Sequence, residues 1–433
     1  MLRLPPRFLP PHLPSILAAA LTLLATGHSA ARQPSQNLPP LRSIDSRYYT
    51  VHTDLDNDLA ADLTQRLDAM YEEYINRFKE FTPTTTTRLN AYLLDRHSTY
   101  LRVTDRRLEN SAGVFIPDRN LLAAYLQNQG RDEIRRVLQH EAFHQFAHNA
   151  ISPDLPIWLN EGIAELFEAG IWTGNAFLLN QVPPYRVRQL QADLAAARLE
   201  PLSRLFDISH EQWFNTIRQD PDRAGTLYNQ SWAVVHWLIN SDSDARRTSN
   251  TRRISNRDRL VSYLRSRRNG TPHTQAWTQA FPQSPQAMQR GFEDWIKQLQ
   301  PTPEAALIER QQVLADMLVG FHNAGQSPPN IDDFKKLATQ SAVRLTYTRG
   351  SVRWTTDHDP TTYFKNQNGK FWSDRELRFV QPKSATAKAK TRTPSTPLPP
   401  DIFLQVRRDL AVRTHFYVLD GDIRSETQIE PTK

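Results

Sequence analysis

Cysteine is absent from all 433 residues. No disulfide can form and no lipid can be attached through an N-terminal cysteine. Stability must therefore come from an apolar core and from whatever the fold binds, which remains compatible with export to an oxidising compartment. Long apolar runs are also scarce. The run Ile16–Ala25 follows Arg3 and Arg7 and precedes Ser29, Ala30 and Ala31. It falls short of the roughly 18 or more apolar residues of a membrane span. A basic start, a short apolar centre and small residues are the three parts of a secretory signal. Residues 1–31 are expected to be such a signal, cut near Ala31, which places the chain in the periplasm, at the cell surface or in the medium; an uncleaved anchor is the other reading. Nothing later is apolar enough to cross a bilayer, and no internal repeat is present.

A 39% hydrophobic content supports a substantial core, and about 400 remaining residues point to two or three domains. Several of the 30 prolines fall at expected boundaries. Residues 32–45, with Pro34, Pro39 and Pro40, read as a flexible link. Residues 381–400, mostly Lys, Ala, Thr, Ser and Pro, read as an extended linker. The net charge of +7 is unevenly placed. Between Asp244 and Gly270 lie Arg246, Arg247, Arg252, Arg253, Arg257, Arg259, Arg265, Arg267 and Arg268, with Asp258 the other acid. That cluster reads either as a patch for an anionic cell-surface polymer or as a solvated loop and helix face. Nucleic acid is not an expected partner, because only Tyr263 interleaves with the arginines.

The chemistry concentrates at His140-Glu141-Ala142-Phe143-His144. Seventeen residues after His144 comes Glu161, inside Leu159-Asn-Glu-Gly-Ile-Ala-Glu165. Ile134, Val137, Leu138, Phe143 and Phe146 recur at helical spacing with no Gly or Pro among them, so the histidines share one helix face. This context argues against two incidental surface histidines. Pro153 and Pro156 break the chain before a second helix that carries Glu161. Two imidazoles from one helix and a carboxylate from another meet the three-ligand requirement of a catalytic zinc that keeps one position for water. Glu141, one position round, is placed to work on that water and not to bind the metal. The expectation is one Zn2+ per chain and a hydrolase. His148 continues the series, but a straight helix carries it about 6 Å beyond His144, too far to converge on the same ion.

The pattern His140-Glu141-x-x-His144 followed by Trp158-Leu-Asn-Glu-Gly-Ile-Ala-Glu165 resembles the gluzincin metallopeptidases. Within them it is most similar to the peptidase-MA-like branch, which includes secreted planctomycete-type proteins of unknown function. The likeness is strong over residues 130–170, fainter over 46–300 and absent beyond. It implies Glu161 as third ligand and Glu165 as the carboxylate behind a zinc-bound histidine, His140. It also implies a peptidase in which Glu141 acts as general base and then acid towards a protein or peptide substrate. A Tyr or His from a later helix commonly assists there, which points to Tyr228, with His236 as the alternative. Gly113-Val-Phe-Ile-Pro117 reads as a sheet edge that either holds an extended peptide by strand addition or is plain edge. Two other readings stay open: a zincin-fold binding module at the cell surface, and a hydrolase of cell-wall amides. The Gly-Ala-Met-Glu-Asn motif of gluzincin aminopeptidases is absent, which tilts towards an endopeptidase.

The expected fold class is α+β, a zincin-like domain over residues 46–300 in which a small sheet precedes a helical subdomain. Strands are expected at 47–52, 88–94 and within 113–125, and helices at 57–80, 185–197, 226–240, 257–267 and 288–299. A helix at 301–323 and short strands near 344–348, 351–354, 370–372, 403–406 and 415–419 form a β-rich C-terminal appendage. It divides into residues 301–380 and a tail over 401–433.

Overall fold

Tyr49–Thr53 (β2) alternates buried and half-buried side chains, as a strand with one face on the core should. It sits in a five-stranded sheet with Arg42–Asp45 (β1), Leu89–Leu94 (β3), Gly113–Ile116 (β4) and Leu121–Tyr125 (β5). The order is β1-β2-β3-β5-β4. β2, β3 and β5 run parallel, and the two outer strands are antiparallel to their neighbours. The computed structural model describes residues 40–432 apart from 82–86, 107, 108, 110, 175, 241–253, 350, 351 and 381–397. The expected signal segment and Arg246, Arg247, Arg252 and Arg253 lie outside the described residues.

Asn57–Arg77 (α1) crosses between β2 and β3. Asp56 caps its start through Leu59 N–H, and its buried stripe of Leu59, Leu63, Leu67, Met70 and Tyr74 faces the core. His97–Val103 (α2) follows β3. Arg131–Phe146 (α3) follows β5, continues through a π turn at Ala147–Ile151 and is succeeded by Ile157–Glu168 (α4). Tyr74 of α1 donates to the Gln139 carbonyl of α3 at 2.7 Å, which ties the two helices together at the level of the histidines. A two-stranded ribbon, Ile171–Trp172 (β6) and Phe177–Leu178 (β7), leads to the helices Pro184–Ala195 (α5), Leu202–Asp207 (α6), His210–Gln219 (α7) and Pro221–Asn240 (α8). Asn256–Arg268 (α9), His273–Ala280 (α10) and Pro285–Gln298 (α11) complete this group. One apolar core runs through most of these elements from Tyr49 to Leu299, and a smaller cluster that includes Tyr100, Val103, Val114 and Ile116 joins α2 to the sheet.

A second core joins Val313 to Ile429. It is built from Pro303–Asn323 (α12), Ile331–Gln340 (α13), the hairpin Thr346–Arg349 (β8) and Val352–Thr355 (β9), and a four-stranded antiparallel sheet. That sheet holds Leu377–Val380 (β10), Asp401–Arg407 (β11), Leu410–Leu419 (β12) and Asp422–Pro431 (β13). The fold is thus α+β, with a sheet followed by helices and then a β-rich C-terminal part. Three local expectations are corrected. Residues 42–45 are a strand paired with β2 and not part of a flexible link. Lys370–Trp372 makes a single bridge, Phe371 to Lys365, and no strand. Residues 401–407, expected in a tail beyond the linker, pair as β11 with β10, so they share one sheet with residues 377–380. Among the described residues no helix is long and apolar enough to cross a membrane.

Candidate metal centre

Helix α3 is buried along almost its whole length, held between the sheet, α1 and α4. One turn apart on its inner face, His140 and His144 bring their rings to 4.8 Å between centroids. Helix α4 delivers Glu161 opposite them. Glu161 Oε2 lies 3.1 Å from His140 Nε2 and 3.5 Å from His144 Nε2. Donors on a tetrahedral zinc with bonds of about 2.0–2.1 Å stand roughly 3.3 Å apart. Both separations from Glu161 are thus close to that value, and all three ligand atoms lie within 4.8 Å of one another, so these residues could hold such an ion. The polar atoms left over point the same way. Both ring nitrogens of His144 and the Oε1 atoms of Glu161 and Glu141 are buried without a hydrogen-bond partner. Each such atom costs about 1–3 kcal/mol unless something pairs with it; a divalent cation would do so for one ring nitrogen of His144 and, where the carboxylate binds through both oxygens, for Glu161 Oε1.

The charges are mutually adjusted. Burial acts to discharge His140, but Glu161 on one ring nitrogen and Glu168 on the other outweigh it and raise its pKa well above the usual histidine value. Burial also opposes ionisation of Glu161, yet His144 and His140 together hold its pKa below the ordinary carboxylate range. For Glu141 burial prevails over the pull of the two histidines, and its pKa is raised. Its Oε2 accepts the Phe115 N–H of β4 at 2.7 Å.

The backbone makes these placements possible at two glycines. A Cβ on Gly162 would fall 2.5 Å from the Ser231 carbonyl oxygen, so α4 and α8 touch backbone to backbone beside Glu161. A Cβ on Gly113 would fall 2.3 Å from Val137 Cγ1 and 3.4 Å from Glu141 Cγ, so β4 lies directly against α3. The contact at Gly162 brings Tyr228 of α8 to the centre. Its ring is 6.5 Å from that of His140 and is backed edge-on by Trp213 of α7 at 5.1 Å. Burial, followed by the charge of Glu161, raises the Tyr228 pKa well above its usual value, so its hydroxyl stays protonated.

The structure gathers His140, Glu141, His144, Glu161 and Tyr228 at one point and places the remaining candidates differently. His236 packs against Trp232 and Trp295, two turns along α8 from Tyr228, and burial lowers its pKa to about 4. It is part of the core there and not of the centre. His148 lies in the π turn with its ring 5.6 Å from Phe115, outside the three-residue groups able to hold a metal among the described residues. Glu165 is not the carboxylate closest to His140. Glu168 Oε2 is 3.1 Å from His140 Nδ1, whereas Glu165 Oε1 is 3.8 Å away and its other oxygen is hydrogen-bonded to Arg186 of α5. The reason is charge: a guanidinium buried at 2% exposure requires an acid at contact distance, and Glu165 is the one it reaches.

Glu168, Arg186 and the Phe115 N–H were missed in the sequence. Glu161, Glu165 and Glu168, spaced four and three apart on one face of α4, carried a signal for the first of these. Nothing local marks Arg186 or a backbone N–H. His140, Glu165 and Glu168 also form a metal-sized group, but the positive charge beside them is already supplied by Arg186. Two groups of β4 are engaged away from its partner strand: Phe115 N–H by Glu141 and the Gly113 carbonyl by the Ser111 hydroxyl. All four β4 residues are buried, so an added strand would have to displace these contacts. In the basic cluster, Arg257, Arg259 and Arg267 of α9 bond to Arg77 O, Ala280 O and Asp154, and Arg268 lies over Phe81. These arginines tether α9 to its surroundings.

Residues 135–261 match a protein family of unknown function (DUF1570). The matched stretch covers most of α3, all of α4, and Arg186 and Tyr228. No curated protein matches the chain.

Proposed function

We propose that this chain is a zinc-dependent hydrolase of gluzincin type that cleaves peptide bonds outside the cytoplasm. One observation carries the reading. Three ligand atoms from His140, His144 and Glu161 converge at zinc-like separations, beside a buried Glu141 whose Oε1 has no partner. Zinc at such a centre supplies a Lewis acid for the carbonyl and lowers the pKa of a water. The chain's own residues do the rest. Phe115 N–H fixes Oε2 of Glu141 and leaves Oε1 as the atom that accepts a proton from the attacking water. The raised Glu141 pKa narrows the gap between taking that proton and returning it to the leaving amine. Tyr228, protonated and close to His140, is the donor placed to stabilise charge on the carbonyl oxygen.

One observation favours a rival. His140, Glu141 and Glu161 are all 0% exposed, as expected if zinc were structural in a binding module at the cell surface. Zinc analysis of the purified chain, combined with digestion of a peptide library and of peptidoglycan, separates these readings. The expected result is one zinc in the wild type, retained by Glu141→Gln and lost by Glu161→Ala, with peptide cleavage reduced about 10²–10⁴-fold in Glu141→Gln. A zinc-loaded wild type that cleaves neither polymer would leave the binding module. Cleavage of peptidoglycan alone would leave a cell-wall amide hydrolase. A folded wild type that takes up no zinc would sink all zinc-dependent versions.

A further inference from the structure

Two carboxylates compete for one ring nitrogen behind the candidate metal centre. Glu168 Oε2 stands 3.1 Å from His140 Nδ1 and Glu165 Oε1 stands 3.8 Å from it; both side chains are buried on the same face of α4. Arg186 separates their roles. One of its terminal nitrogens is hydrogen-bonded to Glu165 Oε2 and lies 3.9 Å from Glu168 Oε1. The guanidinium is itself clamped, over the Trp232 ring at 5.1 Å and against Asn229 Oδ1 at 3.4 Å. It cannot follow either acid, and its planar group draws Glu165 towards α5 and away from the imidazole.

We propose that Arg186 is a positioning residue that assigns the two acids: it captures Glu165 and thereby leaves Glu168 as the sole acceptor of the His140 Nδ1–H. This deepens the metal-centre reading, since fixing Nδ1 as the donor to Glu168 would leave Nε2 as the atom offered to a metal shared with Glu161 and His144. The arrangement itself does not depend on a metal being present, so the two ideas can fail separately.

The test is a second-site rescue in the full-length chain. Zinc affinity is measured by competition with a chromophoric chelator, and the ring nitrogens of His140 are observed by NMR in the metal-free protein. Glu168→Ala is expected to weaken zinc binding about 10–100-fold and to abolish the hydrogen-bonded Nδ1–H signal, because Arg186 still holds Glu165. Arg186→Gln combined with Glu168→Ala is expected to recover most of the affinity and the signal, as the released Glu165 covers the short distance to Nδ1. Arg186→Lys with Glu168→Ala keeps a cation on Glu165 and should not recover them. A loss that came merely from damaged packing would not be reversed by removing a further buried side chain. Persistence of the Nδ1–H signal in Glu168→Ala, with Arg186 in place, would overturn the proposal even if the double variant does not fold. So would an equal recovery with Lys and with Gln. A wild type that binds no zinc but shows the expected NMR pattern would refute the metal centre and leave the role of Arg186 standing.

Discussion

At Gly162 an added methyl group would meet the Ser231 carbonyl at 2.5 Å and Val235 Cγ2 at 2.8 Å. In an exposed helix, replacing glycine by alanine stabilises by roughly 1 kcal/mol. Here the sign reverses, because backbone cannot yield as a flexible side chain can. Gly162→Ala is expected to destabilise the fold by about 1–3 kcal/mol and to weaken zinc binding, since Glu161 is the adjacent residue and Tyr228 lies on the helix pushed away. Denaturant unfolding with a zinc titration checks both, and a stabilised variant with unchanged zinc affinity would contradict the close packing of α4 on α8. The contrast with His140, Glu141, His144 and Glu161 shows what a sequence exposes at this scale. Those four are legible because helical spacing alone puts them on the required faces. The reason for a glycine beside Glu161 lies on α8, well separated along the chain, and the capture of Glu165 by Arg186 depends on a third helix. Both are tertiary facts with no local periodicity to announce them.

Elements with a clean period were legible and short or two-sided ones were not. The apolar stripe of α1 and the alternation of β2 mark themselves, whereas α7 buries only Trp213 and β13 reads as a polar segment, Asp-Ile-Arg-Ser-Glu-Thr-Gln-Ile-Glu-Pro. Strand β13 is a strand because its neighbour β12 supplies a ten-residue ladder and a set of complementary charges. Across this sheet His415 Nδ1 meets Asp401 at 2.7 Å, and its Nε2 faces Glu430 at 3.6 Å. Partial burial opposes its protonation, but Asp401 and Glu430 prevail and raise its pKa to about 9. A histidine raised in the folded state contributes stability that is fully present below its unfolded pKa, about 6.5, and is lost as pH climbs through 9. Allowing for solvent screening, the contribution is roughly 2 kcal/mol. His415→Gln should therefore be less stable than the wild type by about that amount at pH 6, with the gap closing by pH 10. Unfolding by urea across this range tests it, and a gap independent of pH would mean the charge pair does not contribute.

The C-terminal sheet is fastened to the start of α3, a contact that a linker-and-appendage reading of the sequence did not anticipate. Arg131 N–H of α3 donates to the Tyr417 hydroxyl oxygen at 2.8 Å, meeting one of the N–H groups that a helix start leaves unpaired. Asp132 accepts the Thr427 N–H at 3.0 Å. Arg135, 7% exposed, joins Asp62 of α1, Asp132 of its own helix and Glu426 of β13, each within 3.2 Å. Breaking a buried ion pair outright costs about 3–5 kcal/mol. With two acids left on Arg135, Glu426→Ala should cost less, about 2 kcal/mol. The more telling consequence is where that loss is felt. If α3 and β11–β13 open as one unit, hydrogen exchange in Glu426→Ala should speed up by a similar factor in the most protected amides of both, and zinc should dissociate faster although no ligand has been touched. If instead the sheet exchanges faster while α3 and the zinc off-rate stay as in the wild type, then the sheet is only docked on α3 and does not hold it in place.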